Sequence, residues 1–363
     1  MPMVDTTAIH SHDALAPLAT RIAAANDAGT PLRIEGGSSK TFYGRKVQGE
    51  ALDVSEHRGI TSYDPVELIV SVRTGTPLAK LEAVLDAQGQ MLPFEPPHFG
   101  PRATVGGMIA TGLSGPRRPW VGAVRDFVLG MRMLDHRGQE QRFGGEVMKN
   151  VAGYDLSRLM VGAQGTLGLI TEVSLKVLPK PGAQTSLRLE TTRQDAMARL
   201  AEWGRKPLPI TAAAWLDGGL HLRLEGGPSS VAATRQSIGG DELDAGFWTD
   251  LRELRLTFFS DDPRPLWRLS LPTNTPPLEL PGSAENDVLH DWAGSQRWLK
   301  SEIDGERLRD ACARAGGHAT CLTPGVGEPF TPLEPVLAKY HRELKARLDP
   351  NGIFNPGRLY ADL

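Results

Sequence analysis

The sequence holds only two cysteines in 363 residues, Cys312 and Cys321. Two thiols cannot ligate a four-cysteine iron–sulfur cluster, and they give no disulfide framework. They fit a reducing compartment, so the expected location is cytoplasmic. No run of about eighteen apolar residues occurs, so no membrane-spanning helix is expected. The opening Met1-Pro2-Met3-Val4-Asp5 lacks the basic and apolar regions of a signal peptide. Any attachment to a membrane is therefore expected to come through a partner chain. Neither sign of charge dominates. The formal net charge of −3 leaves no electrostatic footprint for nucleic acid or a lipid surface. Aromatic residues make up 6% of the chain, too few to suggest a base-stacking platform.

Several signature motifs are also missing. No Gly-x-Gly-x-x-Gly opens a helix after a strand, and there is no P-loop, so a nucleotide would have to bind by another fold. No Gly-x-Ser-x-Gly elbow exists; Gly112-Leu113-Ser114-Gly115 falls one residue short. Among the histidines only His10 and His12 stand close together, and no His-x-x-x-His occurs. A tight metal site is not expected.

What is present is a set of glycine-rich loops beside apolar segments. Pro31 to Glu35 alternates like a strand and runs into Gly36-Gly37-Ser38-Ser39-Lys40-Thr41. Glycine permits positive φ, which lets successive amides converge on an anion, and Lys40 adds a donor. The same loop also reads as a surface turn. A second loop, Thr104 to Gly107, leads into Met108-Ile109-Ala110-Thr111, which has the look of a helix start. Amides at a helix N-terminus suit phosphate; the alternative is a packing contact of helix on sheet. A third, Gly162 to Gly168, precedes the apolar strand Leu169 to Leu178. Between them Arg117, Arg118, Arg125, Asp126, Lys149, Asn150, Tyr154, Asp155 and Arg158 form a polar cluster, open to reading as a ligand site or as internal ion pairs.

The rest is mixed helix and strand, so the fold class is α+β. A helix is expected from Asp13 to Ala28 and another from Leu78 to Gln88, with Thr76 as N-cap and Pro77 at its first position. Pro179-Lys180-Pro181-Gly182 reads as a linker, giving domains of 1–180, 181–330 and a C-terminal segment, 331–363. The middle domain shows strand, helix, strand, strand, helix, strand, ending at Leu266 to Leu271. That is the split βαβ pattern of a ferredoxin-like cap. Thr331 to Leu348 is expected as a helix with Leu333, Val336, Leu337, Tyr340, Leu344 and Leu348 as its apolar stripe. No internal repeat is visible.

The stretches Pro31 to Lys40, Ala103 to Ala110, Arg118-x-x-x-Gly122-x-x-Arg125-Asp126, Gly153-Tyr154-Asp155-Leu156 and Gly162 to Glu172 together resemble the FAD-binding domain of the vanillyl-alcohol-oxidase/p-cresol-methylhydroxylase (PCMH) type. Lys149 to Asp155 and the ending Asp349 to Tyr360 extend the resemblance to the small FAD-binding subunits of bacterial glycolate oxidases. The resemblance implies two α+β subdomains that clamp FAD, then a smaller cap, then a helical return. It implies cofactor contacts from Gly36, Gly37, Ser38, Ser39 and Lys40, from Pro101, Thr104, Gly106, Gly107, Ile109, Ala110 and Ser114, and from Gly165, Ile170 and Asn355. Some members attach FAD through a histidine in the first loop; Ser38 and Ser39 stand there, so non-covalent FAD is expected. Tyr154 and His318 are the candidates for a base or orienting group. Relatives that oxidise 2-hydroxy acids carry a Gly-Glu-His-Gly segment and metal-ligand histidines, whereas this chain has Gly325-Val326-Gly327-Glu328-Pro329. The implied partners are a larger FAD subunit and an iron–sulfur subunit. A scaffold subunit and a stand-alone flavin oxidase are the other readings.

Overall fold

The computed structural model describes residues 10–145, 155–282 and 284–363. Lys149, Asn150 and Tyr154 lie outside the described residues. The chain divides into two compact units. One holds 1–114, 122–180 and 332–363; the other holds 115–121 and 181–331.

In the first unit, helix Leu15–Ala28 buries Leu18, Ile22 and Ala25 on one face and stops at Gly29, whose φ of 63° suits glycine. It covers β1 (Leu32–Glu35), which runs parallel to β2 (Glu50–Asp53). Parallel neighbours need a long crossover, and here residues 36–49 make it without a helix. The first glycine loop lies in that crossover. On the other edge of β1 the C-terminal segment adds a further parallel bridge, Leu32 to Phe354. Ile353 and Phe354 are fully buried in the same cluster as Ile22 and Leu52.

The second layer of this unit is antiparallel. It contains β3 (Ile60–Asp64) and β4 (Ile69–Arg73), and the short β5 (Gln90–Met91) follows. After β6 (Val128–Leu134) and β7 (Glu140–Gly144) come β8 (Leu169–Lys176) and β9 (Leu178–Pro179). Five strands pair in the order β3-β4-β8-β6-β7, and β5 pairs separately with β9. Central β8 is buried along nearly its whole length, which explains its lack of clean polar alternation. Helices Leu78–Asp86 and Val105–Thr111 supply Leu78, Leu81, Leu85, Val105 and Ile109, each without exposed surface. Thr76 is not the N-cap of the first. Pro77 holds that position with no side-chain bond, and the Thr76 hydroxyl accepts from the Gly59 amide at 2.9 Å.

The second unit is one eight-stranded sheet. Its strands are β10 (Ala183–Glu190), β11 (Ile210–Leu216), β12 (Gly219–Gly226) and β13 (Asp241–Glu242). They are followed by β14 (Leu266–Ser270), β15 (Val288–Asp291), β16 (Gln296–Lys300) and β17 (His318–Cys321). The order is β13-β10-β12-β11-β15-β16-β14-β17. The first four strands, with helices Arg193–Trp203 and Pro228–Ile238 between them, form the split βαβ unit. Its fourth strand is the two-residue β13, not Leu266–Ser270 as the sequence suggests. The last four strands repeat the same pairing order, with helix Gly305–Arg314 before β17 and the proline-rich 272–281 in place of the first helix. The halves join edge to edge where Trp215 of β11 faces His290 of β15. The repeat therefore exists in topology and not in sequence.

Residues 115–121 are fastened into this unit. Arg117 lies 2.6 Å from Glu225, which also holds Arg223 at 3.2 Å, and all three side chains are buried. Trp120 joins the first half-sheet's core, and Arg118 sits over the Trp292 ring at 4.4 Å. Glu225→Ala leaves two buried guanidinium groups without their shared counter-charge. It is expected to lower unfolding free energy by about 3–5 kcal/mol in urea denaturation.

Helix Pro335–Leu348 departs from expectation. Val336 is 65% exposed and Tyr340 60%, so the stripe does not face the core. The helix is held instead by its last turn. Lys345 is the residue it buries, and Leu344 and Leu348 are partly covered.

Candidate cofactor site

The first and second glycine loops touch. A Cβ on Gly37 would lie 1.3 Å from the Arg102 carbonyl oxygen, and one on Gly36 would lie 2.6 Å from Thr104 Oγ1. Only glycine allows this approach. Ser38 follows with φ of 53°, a left-handed conformation of the kind found in anion-binding turns. The amides of Gly37, Ser38 and Ser39 donate to no protein acceptor among the described residues. Lys40 reaches back to the Ser39 hydroxyl at 3.4 Å. Its buried ammonium donates to the His98 carbonyl at 3.1 Å and lies 5.8 Å from the Phe99 ring centre.

The second loop is built differently from the sequence reading. Thr104 caps helix Val105–Thr111 by accepting from the Gly107 amide at 3.2 Å. The Val105 amide donates to Thr76 at 2.9 Å and the Gly106 amide to Thr74 at 2.8 Å. The first-turn amides are thus spent inside the protein and offer nothing to a phosphate. Gly106 is there because a Cβ would meet Thr74 Cβ at 2.8 Å. Ile109 is fully buried and its carbonyl accepts from Gly162, so it packs and does not face a ligand. Ala110 is half-buried, its carbonyl taken by the Gln164 amide at 2.9 Å. Pro101 is exposed, and the Ser114 hydroxyl accepts from the Val124 amide at 3.2 Å.

The third loop is tied to the second by those two amides and to the C-terminus by side chains. Gly165, at φ of 72°, leaves room for the Asn355 amide group, which a Cβ would meet at 2.7 Å. Asn355 donates to the Gln164 carbonyl at 2.7 Å and accepts from the Ile34 amide at 2.8 Å. Both ends of that side chain are occupied by protein, so Asn355 staples β1 to the third loop and does not read out a ring. Lys345 donates to the carbonyls of Thr166 and Phe354 and pairs with Asp349 at 2.6 Å. Burial pulls the Lys345 pKa down, and the Asp349 carboxylate opposes that. The Ile170 carbonyl accepts from Thr74 Oγ1 at 2.7 Å.

Three residues escaped sequence reasoning. Thr74 bonds to the second loop and to β8 through its hydroxyl, amide and carbonyl. Gln164 takes a positive φ without being glycine. Arg358 gathers the carbonyls of Lys40, Thr41, Tyr43 and Arg45 together with the Gln164 side chain. Only Arg358 carried a signal, its place in the Asn355-Pro356-Gly357 ending.

The polar cluster is largely structural where it is described. Asp126 caps the Ala123 amide at 2.7 Å, and Asp155 accepts from the Arg158 amide and guanidinium. His318 stands exposed at the start of edge strand β17, and no hydrogen bond to its ring forms among the described residues. Nothing there organises it as a base.

Residues 13–144 match the family model for the FAD binding domain. Over 334 residues the chain is 55% identical to the glycolate oxidase subunit GlcE of Escherichia coli, spanning 92% of this chain and 94% of that one. The chain belongs to the GlcE family. More distant similarity joins it to glycolate oxidase subunit GlcD of Bacillus subtilis, 34% identical over 140 residues, 39% of this chain and 30% of that protein. A D-lactate dehydrogenase of Anaerostipes hadrus is 36% identical over 140 residues, 38% of this chain and 29% of that protein. The chain thus spans less than a third of either. Among solved structures, alkyldihydroxyacetonephosphate synthase superposes with a TM-score of 0.67 at 16% identity, covering 96% of this chain and 76% of that one. This likeness establishes the PCMH-type fold alone. The GlcE-family chain is an FAD-binding protein, and its first loop fits the cofactor. Two glycines remove the atoms that would fill the cradle, and three consecutive amides there have no protein acceptor among the described residues.

Proposed function

We infer that this chain is the FAD-binding subunit of a glycolate oxidase, an FAD-dependent oxidoreductase acting on the CH–OH of a 2-hydroxy acid. The observation that carries this reading is the 55% identity to the Escherichia coli subunit over nearly the full length of both chains. In the assembled oxidase, flavin would supply the redox chemistry, taking two electrons from glycolate as it loses two protons to become glyoxylate. The chain's own part is to hold and orient. The amides of Gly37, Ser38 and Ser39 would hold the pyrophosphate, the bond network of Thr74, Asn355 and Lys345 fixes the three loops, and Ser38 and Ser39 would leave the flavin without a covalent tether.

Electrons leave through other chains. Cys312 and Cys321 are both buried, and burial raises both thiols above their ordinary pKa, which leaves them inert as ligands. The partners are a larger FAD subunit and an iron–sulfur subunit. Among the described residues no helix is long and apolar enough to cross a membrane. The assembly is placed in the cytoplasm, with any membrane contact made by a partner. The larger subunit is assigned the substrate-oxidising role, because the Gly-Glu-His-Gly segment is missing here and His318 is unorganised.

Anaerobic mixing with glycolate tests this. The flavin of the isolated chain is expected to stay oxidised, and the flavin of the reconstituted complex to bleach. Bleaching of the isolated chain by glycolate overturns the division of labour. A reconstituted complex inert toward glycolate and D-lactate overturns the functional reading.

A further inference from the structure

Arginine carries five N–H donors in a rigid planar fork. In Arg358 every one has an acceptor. Nε reaches Gln164 Oε1 at 2.9 Å. Nη1 reaches the carbonyls of Arg45 at 2.7 Å and Thr41 at 3.3 Å. Nη2 reaches those of Tyr43 at 2.6 Å and Lys40 at 3.2 Å. The Arg358 carbonyl accepts in turn from the Arg45 amide at 2.9 Å. No carboxylate is among these five partners. The guanidinium is used as a template for backbone, and the backbone it shapes is the part of the β1–β2 crossover directly after Gly37, Ser38 and Ser39. That crossover has no helix of its own to fix it. A Cβ at Gly44 would meet Gln164 Oε1 at 2.6 Å and Arg358 Nε at 3.0 Å, so the loop closes tightly on the fork.

We propose that Arg358 is a positioning residue for the cofactor, a clasp by which the C-terminal segment sets the first glycine loop for the FAD pyrophosphate and locks it to the third. This rests on the FAD reading given above. Arg358 does not touch the phosphates. It removes the freedom of residues 40–45, and so presents the amides before them in one arrangement. Lysine has three donors at a point and cannot span five acceptors.

The test measures binding of FAD and of ADP, which carries the pyrophosphate without the flavin, to the apo full-length chain by calorimetry, beside the apo melting temperature. Wild type, Arg358→Ala, Arg358→Lys and a destabilised control in the other unit, Glu225→Ala, are compared. Arg358→Ala is expected to raise the Kd of both ligands about tenfold or more, and Arg358→Lys to recover part of that, since charge-assisted hydrogen bonds are roughly twice as strong as neutral ones. Glu225→Ala is expected to melt earlier with both Kd values unchanged. Should Arg358→Ala fail to fold, Arg358→Lys alone decides. Wild-type Kd values in whichever variant is read, or a rise for FAD with none for ADP, overturn the clasp. A wild-type chain that binds no FAD overturns the parent reading instead.

Discussion

Gly37→Ala is expected to abolish FAD retention and to destabilise the chain at or beyond the top of the about 1–3 kcal/mol usual for overpacking. The added methyl would stand 1.3 Å from the Arg102 carbonyl oxygen. That oxygen belongs to backbone just before the Thr104 cap and cannot swing aside like the end of a side chain. The two loops must part, and the amides of Ser38 and Ser39 move with them. Gly29→Ala is the control. It has open space around it and a φ of 63°, so it meets only the roughly 1–2 kcal/mol cost of a left-handed residue. Flavin absorbance per chain after gel filtration and urea midpoints separate the two. Equal flavin content in both variants would mean that the first loop's contact with Arg102 does not shape the site.

Asp349→Ala is expected to lower unfolding free energy by about 3–5 kcal/mol, the usual effect of leaving one buried charge without its partner. Lys345 would keep its carbonyl bonds to Thr166 and Phe354 but lose its counter-charge. Two amides, Ile353 and Phe354, would also lose the acceptor that Asp349 provides at 3.0 and 2.8 Å. Those residues pair with β1, so the Asn355 staple and the Arg358 clasp loosen together. Flavin content should fall in parallel with the urea midpoint. Asp349→Asn retains one carbonyl oxygen and is expected to lose less. An Asp349→Ala midpoint within about 1 kcal/mol of wild type in ΔG would contradict this account of the C-terminal turn.

The first loop, β1 and the helix before it were legible because each has a local signature: alternation, an apolar face, a glycine stop. A boundary between the two compact units falls between Lys180 and Pro181, inside the Pro179 to Gly182 stretch. The second loop was misread for a physical cause. Glycines at a helix start look alike whether their amides face a ligand or a carbonyl, and here Thr74 and Thr76, thirty residues away, take them. The helix Pro335–Leu348 misled through its pattern. Val336, Leu337 and Tyr340 have helical spacing, but its anchor is the single buried ammonium of Lys345. In the second unit β13 is only two residues long, too short for any periodicity, so Leu266–Ser270 was taken for it. The Arg358 clasp was invisible because its partners are mostly backbone carbonyls from the opposite end of the chain. No residue-type pattern encodes a carbonyl's direction.

Amide hydrogen exchange of the apo chain, with and without FAD, tests the central claim most directly. The amides of Gly37, Ser38 and Ser39 should exchange at nearly unprotected rates without the cofactor and slow markedly when FAD is added. Those of Val105, Gly106 and Gly107 should be protected in both states, because Thr76, Thr74 and Thr104 already hold them. Protection on FAD binding that appears at Val105 to Gly107 and leaves Gly37 to Ser39 unchanged would contradict the claim.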